Sequence, residues 1–325
     1  MNRKTYTRGS GLRLAVMLMT LSLVLIFGTA QAEYTDSLEL DSIKVEAARY
    51  SLALDVVNAG NRIVAVGERG HILYTDNGGE NWTQADVATR SQLNGVYFVD
   101  DKYGWAVGED AVVLGTTDGG TSWQRLFDAR DADLRGPLLD VWFKDRNVGF
   151  AVGVYNKIYG TTDGGKTWED LYDIVDNLDE WHLFNIMQTA SGAIYSGSEQ
   201  GLIFKSDDAG ASFAPVQSDH IGSFPGFLAR QGEDGQDKLL GFGPGGAVWA
   251  SHDSGLSWNE LNSGTTSILL GGAWLKDGSA VIVGHEGTVL RVDAALENVA
   301  ATNHESGLPF KAVIQKDENL SLIHI

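Results

Sequence analysis

Short runs of β-branched and aromatic residues, each closed by a glycine, return along this chain at a steady interval. They occupy 64–67, 105–108, 150–153, 194–197, 240–243 and 281–284. Such runs, bounded by turn residues and lacking any 3.6-residue periodicity, predict strands and disfavour helical solenoids. Within one interval four strands can be placed, for example over 93–98, 105–108, 112–117 and 122–127. The next interval repeats them over 139–143, 150–153, 157–162 and 167–172. Four short antiparallel strands per unit describe the blade of a propeller.

A polar box marks the turn between the third and fourth strands of each unit. Its best copies are Thr116-x-Asp118-x-Gly120-x-Ser122-Trp123 and Thr161-x-Asp163-x-Gly165-x-Thr167-Trp168. Ser206-x-Asp208-x-Gly210-x-Ser212-Phe213 and Ser251-x-Asp253-x-Gly255-x-Ser257-Trp258 follow, and Thr75-x-Asn77-x-Gly79-x-Asn81-Trp82 is a drifted first copy. The closing aromatics Trp82, Trp123, Trp168, Phe213 and Trp258 are spaced by 41, 45, 45 and 45 residues, which is the signature of a propeller or solenoid. Glycine supplies the turn's backbone, and the Asp or Asn and the hydroxyl can accept its amides. The aromatic offers apolar area to a neighbouring unit. An acid repeated once per unit reads as a folding device rather than a catalyst or metal ligand, so Asn77, Asp118, Asp163, Asp208 and Asp253 are expected to be structural.

The predicted fold is all-β: a seven-bladed propeller of four-stranded antiparallel blades. The repeats are set near 52–89, 92–130, 137–175, 183–218, 223–263, 267–300 and, in part, 308–325. The sixth has lost its box near Asp293. The seventh offers a first strand over 310–314 and a second over 320–323. Its blade is therefore incomplete, or is closed by an N-terminal strand over 38–45.

Residues 1–32 read as a secretory signal. Arg3, Lys4, Arg8 and Arg13 precede a short apolar core, and Ala30-Gln31-Ala32 offers a small-residue cleavage site. The propeller would then occupy 33–325 in the periplasm or outside the cell, with no membrane span left after cleavage. The chain carries a formal charge of −19, which becomes −23 once those four basic residues are removed. That balance disfavours nucleic acid and anionic membranes. There is no cysteine, so neither disulfides nor thiolate metal sites enter. The seven histidines show no metal-ligand spacing. No cofactor and no metal is expected, and the partners expected are proteins met by a monomer.

The box resembles the Asp-box, or bacterial neuraminidase repeat, of sialidase-like propellers. Taken with the strings 95–100, 103–108 and 116–123, and again 140–143, 148–153 and the box ending at Trp168, it is similar to the photosystem II assembly and stability factor family. The resemblance runs over roughly 50–290 and is strongest over 52–168. It implies a seven-bladed propeller acting in an exported compartment (the thylakoid lumen in photosynthetic sources) that binds protein partners and assists assembly or stability of a membrane complex.

Function is expected where the repeat is broken, since the repeat itself serves folding. Loops between the second and third strands share one face with the links between blades. They carry Glu68, Arg69, Glu109, Asp110, Tyr155, Asn156, Lys157, Glu199, Gln200, His285 and Glu286. The link over 170–180 adds Asp173, Asp176, Asp179 and Glu180 beside Tyr172, Trp181 and Phe184. It reads as a solvated insertion, with a basic or proline-rich peptide and Ca²⁺ as the other readings; its spacing does not match a calcium loop. The alternative is a sialidase-like or other glycoside hydrolase. That chemistry would require an arginine cluster and paired carboxylates in the central funnel.

Overall fold

The computed structural model describes residues 35–129, 136–316 and 319–324, the last six as backbone. The expected leader and the tip of the link over 130–135 lie outside the described residues. Among the described residues, five sheets have four antiparallel strands in sequence order, and a sixth has the same four plus the short segment Asp86–Val87 added in parallel at its outer edge. Blade 2 is typical, with Leu93–Phe98, Gly104–Gly108, Val113–Thr116 and Ser122–Phe127. Strands fall where the apolar runs predict them because both faces of a blade are covered by neighbours. All five residues of Gly104–Gly108, Gly149–Gly153 and Ala280–Gly284 are buried, which explains runs rather than alternation.

The blade count departs from the prediction. There are six four-stranded blades, not seven. The last unit contributes a two-stranded hairpin, Phe310–Lys316 with Asn319–His324. The hairpin's inner strand meets both neighbours. Phe310 and Val313 join Leu275, Val281 and Val283 of blade 6, while Ala312 joins Val56, Ile63 and Ala65 of blade 1.

Nor does the segment over 38–45 close the ring. It contains no strand; Ser37–Glu39 is a 3-10 turn that drives Leu38, 1% exposed, into the core between blades 1 and 2. Arg125 donates to the Leu38 carbonyl, Ser42 N donates to Val87 O at 2.9 Å, and Lys44 pairs with Asp86 at 2.7 Å. The segment is a strap across the first junction.

Seven apolar clusters, one per junction, hold the ring together. At the junction of blades 2 and 3, Trp105 stacks on Phe143 with centroids 3.5 Å apart, and its Nε1 donates to Gly164 O in the next blade's box at 2.9 Å. Trp123, Phe213 and Trp258 are buried at 2%, 3% and 7% exposure, and Trp82 and Trp168 are half-buried. The aromatics thus pack inward, as their spacing requires.

The boxes close as expected. Asp118 accepts from Thr116 Oγ at 2.8 Å, from Thr121 N at 3.1 Å, from Ser122 N at 3.0 Å and from Ser122 Oγ at 2.7 Å. The same bonds from Thr167 hold the Asp163 carboxyl down at about 2, and those from Ser212 and Ser206 do so for Asp208, also at about 2. Asp253 repeats the arrangement with Ser257 and Ser251. Asn77 keeps two of the bonds, from Thr75 Oγ at 2.7 Å and Asn81 N at 3.1 Å. Even the decayed sixth box keeps its acid: Asp293 accepts from Glu297 N at 2.9 Å and from Asn298 Nδ2 at 2.7 Å.

Candidate functional site

The loop tips between second and third strands gather on one face, as the repeat predicts. In blades 1, 2 and 6 the tip is tied to the residue that precedes the blade's inner strand. Glu68 N donates to Leu52 O at 3.0 Å, Glu109 N to Gln92 O at 2.9 Å and His285 N to Ile268 O at 2.9 Å. The second residue of the tip is left-handed: φ is 56° at Arg69, 59° at Asp110, 54° at Tyr155, 55° at Gln200 and 57° at Glu286. This conformation costs a non-glycine residue about 1 kcal/mol.

The predicted residues separate into projecting and anchored sets. Arg69, Tyr155, Gln200 and Glu286 are exposed. Glu68 accepts from Leu52 N at 3.3 Å, and Asp110 accepts from Ser91 Oγ at 3.2 Å. Glu199 faces His182 Nδ1 at 3.1 Å, and Glu286 also accepts from Ser267 Oγ at 3.0 Å. Glu109 and His285 are half-buried at the tip bases; the half-buried Lys157 ammonium is lowered by desolvation, against the pull of Asp170. Asn156 does not project at all. It is 1% exposed, because its own left-handed turn (φ 58°) points it inward, where its Oδ1 accepts from Asn177 Nδ2 at 2.9 Å.

What the sequence left hidden is the hub. The inner strands enclose a cavity of about 320 Å³. Asp55, Asp140 and Lys311, from blade 1, blade 3 and the hairpin, line it together. Both carboxylates sit beside an extra residue in their strands, where the register shifts. Each clamps its own blade to the next. Asp55 accepts from Val56 N at 2.8 Å and Val96 N at 2.9 Å, and Asp140 from Val141 N at 2.8 Å and Ile186 N at 2.9 Å.

Burial pushes Asp55 up to about 6, opposed by those amides. Burial, and then the Asp55 charge, push Asp140 up to about 7. Burial lowers the Lys311 ammonium, against the pull of both acids. A carboxylate pair therefore does meet in the funnel. No arginine joins it among the lining residues, and both oxygens of each acid are occupied by backbone amides. That arrangement fits joinery between blades better than acid–base work on a glycan. Among the described residues no group of three or more His, Cys, Asp or Glu could hold a metal ion.

A ring of four-stranded, box-bearing blades defines an Asp-box β-propeller, and the comparisons agree on that fold. The signature of the Photosynthesis system II assembly factor YCF48 family matches residues 32–130 and 127–288, so the chain belongs to that family. Membership places it with assembly factors rather than with the sialidase-like hydrolases that share the box. Among curated proteins, the chloroplastic Photosystem II stability/assembly factor HCF136 of Oryza sativa subsp. japonica is 36% identical over 67 residues. Those residues are 19% of this chain and 16% of the rice protein. Among solved structures, YCF48 bound to D1 peptide superposes with a TM-score of 0.67 at 20% identity, over 84% of this chain and 90% of that one. YCF48 from Cyanidioschyzon merolae gives 0.68 at 17% identity, over 84% and 92%. The WD40 propeller domain of Doa1 gives 0.64 at 13%, over 89% and 93%, so these likenesses speak to fold.

Proposed function

We propose that this chain is an exported, monomeric scaffold that binds a peptide segment of a partner protein on its loop-tip face and so assists assembly or stability of a membrane complex. Family membership over most of the chain is the observation that carries this reading. A solved relative is described as bound to D1 peptide, which makes a peptide segment the natural guest here as well. The projecting Arg69, Tyr155, Gln200 and Glu286, with Glu68, Glu109, Asp110, Lys157, Glu199 and His285 at their bases, are the residues assigned to recognition. A closed ring holds them in fixed relative positions, so little ordering is needed on contact.

Affinity capture of the full chain from the periplasmic fraction, read by mass spectrometry, tests it. The expected result is a membrane-complex subunit that is retained by the wild type and lost on substituting Arg69 and Glu286 together with Tyr155, at unchanged melting temperature. Recovery of no protein partner, combined with turnover of a glycan panel, would reverse the order in favour of hydrolysis.

A further inference from the structure

The junction of blades 1 and 2 shows how this fold receives an extended chain. There the link Asp86–Val87 pairs in parallel with Ser122–Trp123, at the start of the next blade's outer strand. The strap lies on that link: Ser42 N donates to Val87 O, Gln84 Nε2 donates to Ile43 O at 3.0 Å, and Lys44 pairs with Asp86. An extended, lysine-bearing segment is thus held by a backbone hydrogen bond and an acid on the link, and by the Gln84 amide beside it.

The junction of blades 3 and 4 repeats the link. Val175 bridges Phe213 in parallel, Asp176 N donates to Phe213 O at 3.0 Å, and Phe213 N donates to Ile174 O at 2.8 Å. These match the pairing of Ala88 N with Trp123 O at the first junction. Here, however, among the described residues no second strap hydrogen-bonds to the backbone of residues 174–176. A groove of about 490 Å³ runs between residues 172–178 and Ser212, Phe213 and Ala214. Its rim holds Tyr172 and Leu178, which is 94% exposed, and Tyr155 stands nearby at 63%.

This is no loose insertion. Asn177, 5% exposed, donates to Asn156 Oδ1 and to Trp181 O, each at 2.9 Å, and accepts from Trp181 N at 3.0 Å. Tyr155, Asn156 and Glu180 are all left-handed without being glycine. Strain of that kind persists where the surroundings enforce it, and it concentrates at functional segments. So a rigid base holds apolar side chains out in solvent.

The charge is one-sided as well. Between Thr167 and Phe204 there are seven acidic residues and no lysine or arginine. Asp173, Asp176 and Asp179 are exposed, and their carboxylates have no hydrogen bond or ion pair among the described residues.

We propose that the junction of blades 3 and 4 is a docking groove for an extended, lysine- or arginine-bearing segment of a partner protein, seated as residues 41–45 are seated on the first junction. This rests on the peptide-binding reading above and names the guest's chemistry and place. Fluorescence anisotropy on the full chain tests it, with three labelled peptide sets: alternating Val/Lys, alternating Val/Glu and a proline-rich set.

The Val/Lys set is expected to bind, more weakly as salt rises. The triple variant Asp173→Asn, Asp176→Asn, Asp179→Asn should weaken it about tenfold and flatten its salt dependence. Leu178→Ser should weaken it at every salt concentration, and all variants should melt as the wild type does. Equal binding to the variants, preference for the Val/Glu or proline-rich set, or no binding of Val/Lys peptides overturns the groove. If the variants at Arg69 and Glu286 abolish partner capture while the triple variant keeps it, the groove fails and the loop-tip reading stands. If the wild type itself captures no protein, or the variants at Arg69 and Glu286 capture as it does, the loop-tip reading is the one that fails.

Discussion

The Asp118→Ala substitution separates a folding device from a binding residue. The carboxylate of Asp118 accepts four hydrogen bonds, from Thr116 Oγ, Thr121 N, Ser122 N and Ser122 Oγ. A hydrogen bond contributes about 0.5–1.5 kcal/mol net. The turn is exposed, so water resatisfies the freed amides and the low end applies. The four together then amount to about 2 kcal/mol, near the cost of deleting a helix cap, which satisfies orphan amides in the same way. For a domain of this size that lowers the melting temperature by about 4 °C.

Asn77 provides an internal scale, because as an amide it keeps only the bonds from Thr75 Oγ and Asn81 N. Asp118→Asn should therefore lose about half as much as Asp118→Ala. Scanning calorimetry with urea titration of the three proteins reads the order directly, and partner capture by each should be unchanged. Normal melting of Asp118→Ala with lost capture would mean that the box recognises a ligand and that the reasoning is wrong.

The pH dependence of stability should have two limbs of opposite sign. Asp55 and Asp140 are raised by folding from 3.8 to about 6 and about 7. Their protonated forms favour the folded state, so that contribution is complete below about pH 4 and lost as pH climbs through 7. At about 1.4 kcal/mol per unit the pair withdraws a few kcal/mol by pH 8. The box acids Asp163 and Asp208 are lowered to about 2, so their contribution is present above about pH 4 and lost below it. Urea midpoints from pH 3 to 9 should peak near about pH 4 and fall above it; a steady rise to pH 8 would contradict the hub assignment. Ala209 holds φ 61° where the first three boxes place Gly78, Gly119 and Gly164. Ala209→Gly should therefore stabilise by about 0.5–1 kcal/mol in urea, and a loss would show that the turn is unstrained there.

The strands of blades 2 and 3 were legible to within about two residues because glycines punctuate apolar runs and the box recurs in phase. The blade count was not. The apolar runs of a unit's first two strands read the same whether or not outer strands pair with them, and here Phe310, Ala312 and Val313 reach both junctions from one strand. The segment over 38–45 alternates like a strand, yet Leu38 serves as a plug and Lys44 as a surface pair.

The loop tips were legible as departures from the repeat, but Asn156 shows the limit. Polarity and position suggested projection, while a buried partner 21 residues on, Asn177, draws it inward. The hub acids escaped notice because Asp55 and Asp140 lie 85 residues apart and only ring closure brings them to one cavity. A sequence signal did exist, since each occupies the same place near the start of an inner strand.

The hairpin Phe310–Lys316 with Asn319–His324 touches both the first and the last blade, and that gives the molecule a seam. Among the described residues every other unit has four strands, whereas here the circle is fastened by a two-stranded clasp. Mechanical pulling on residues near 316 should open the ring from this point before any blade unravels. A crosslink between the clasp and blade 1 would lock the circle more effectively than one placed anywhere else.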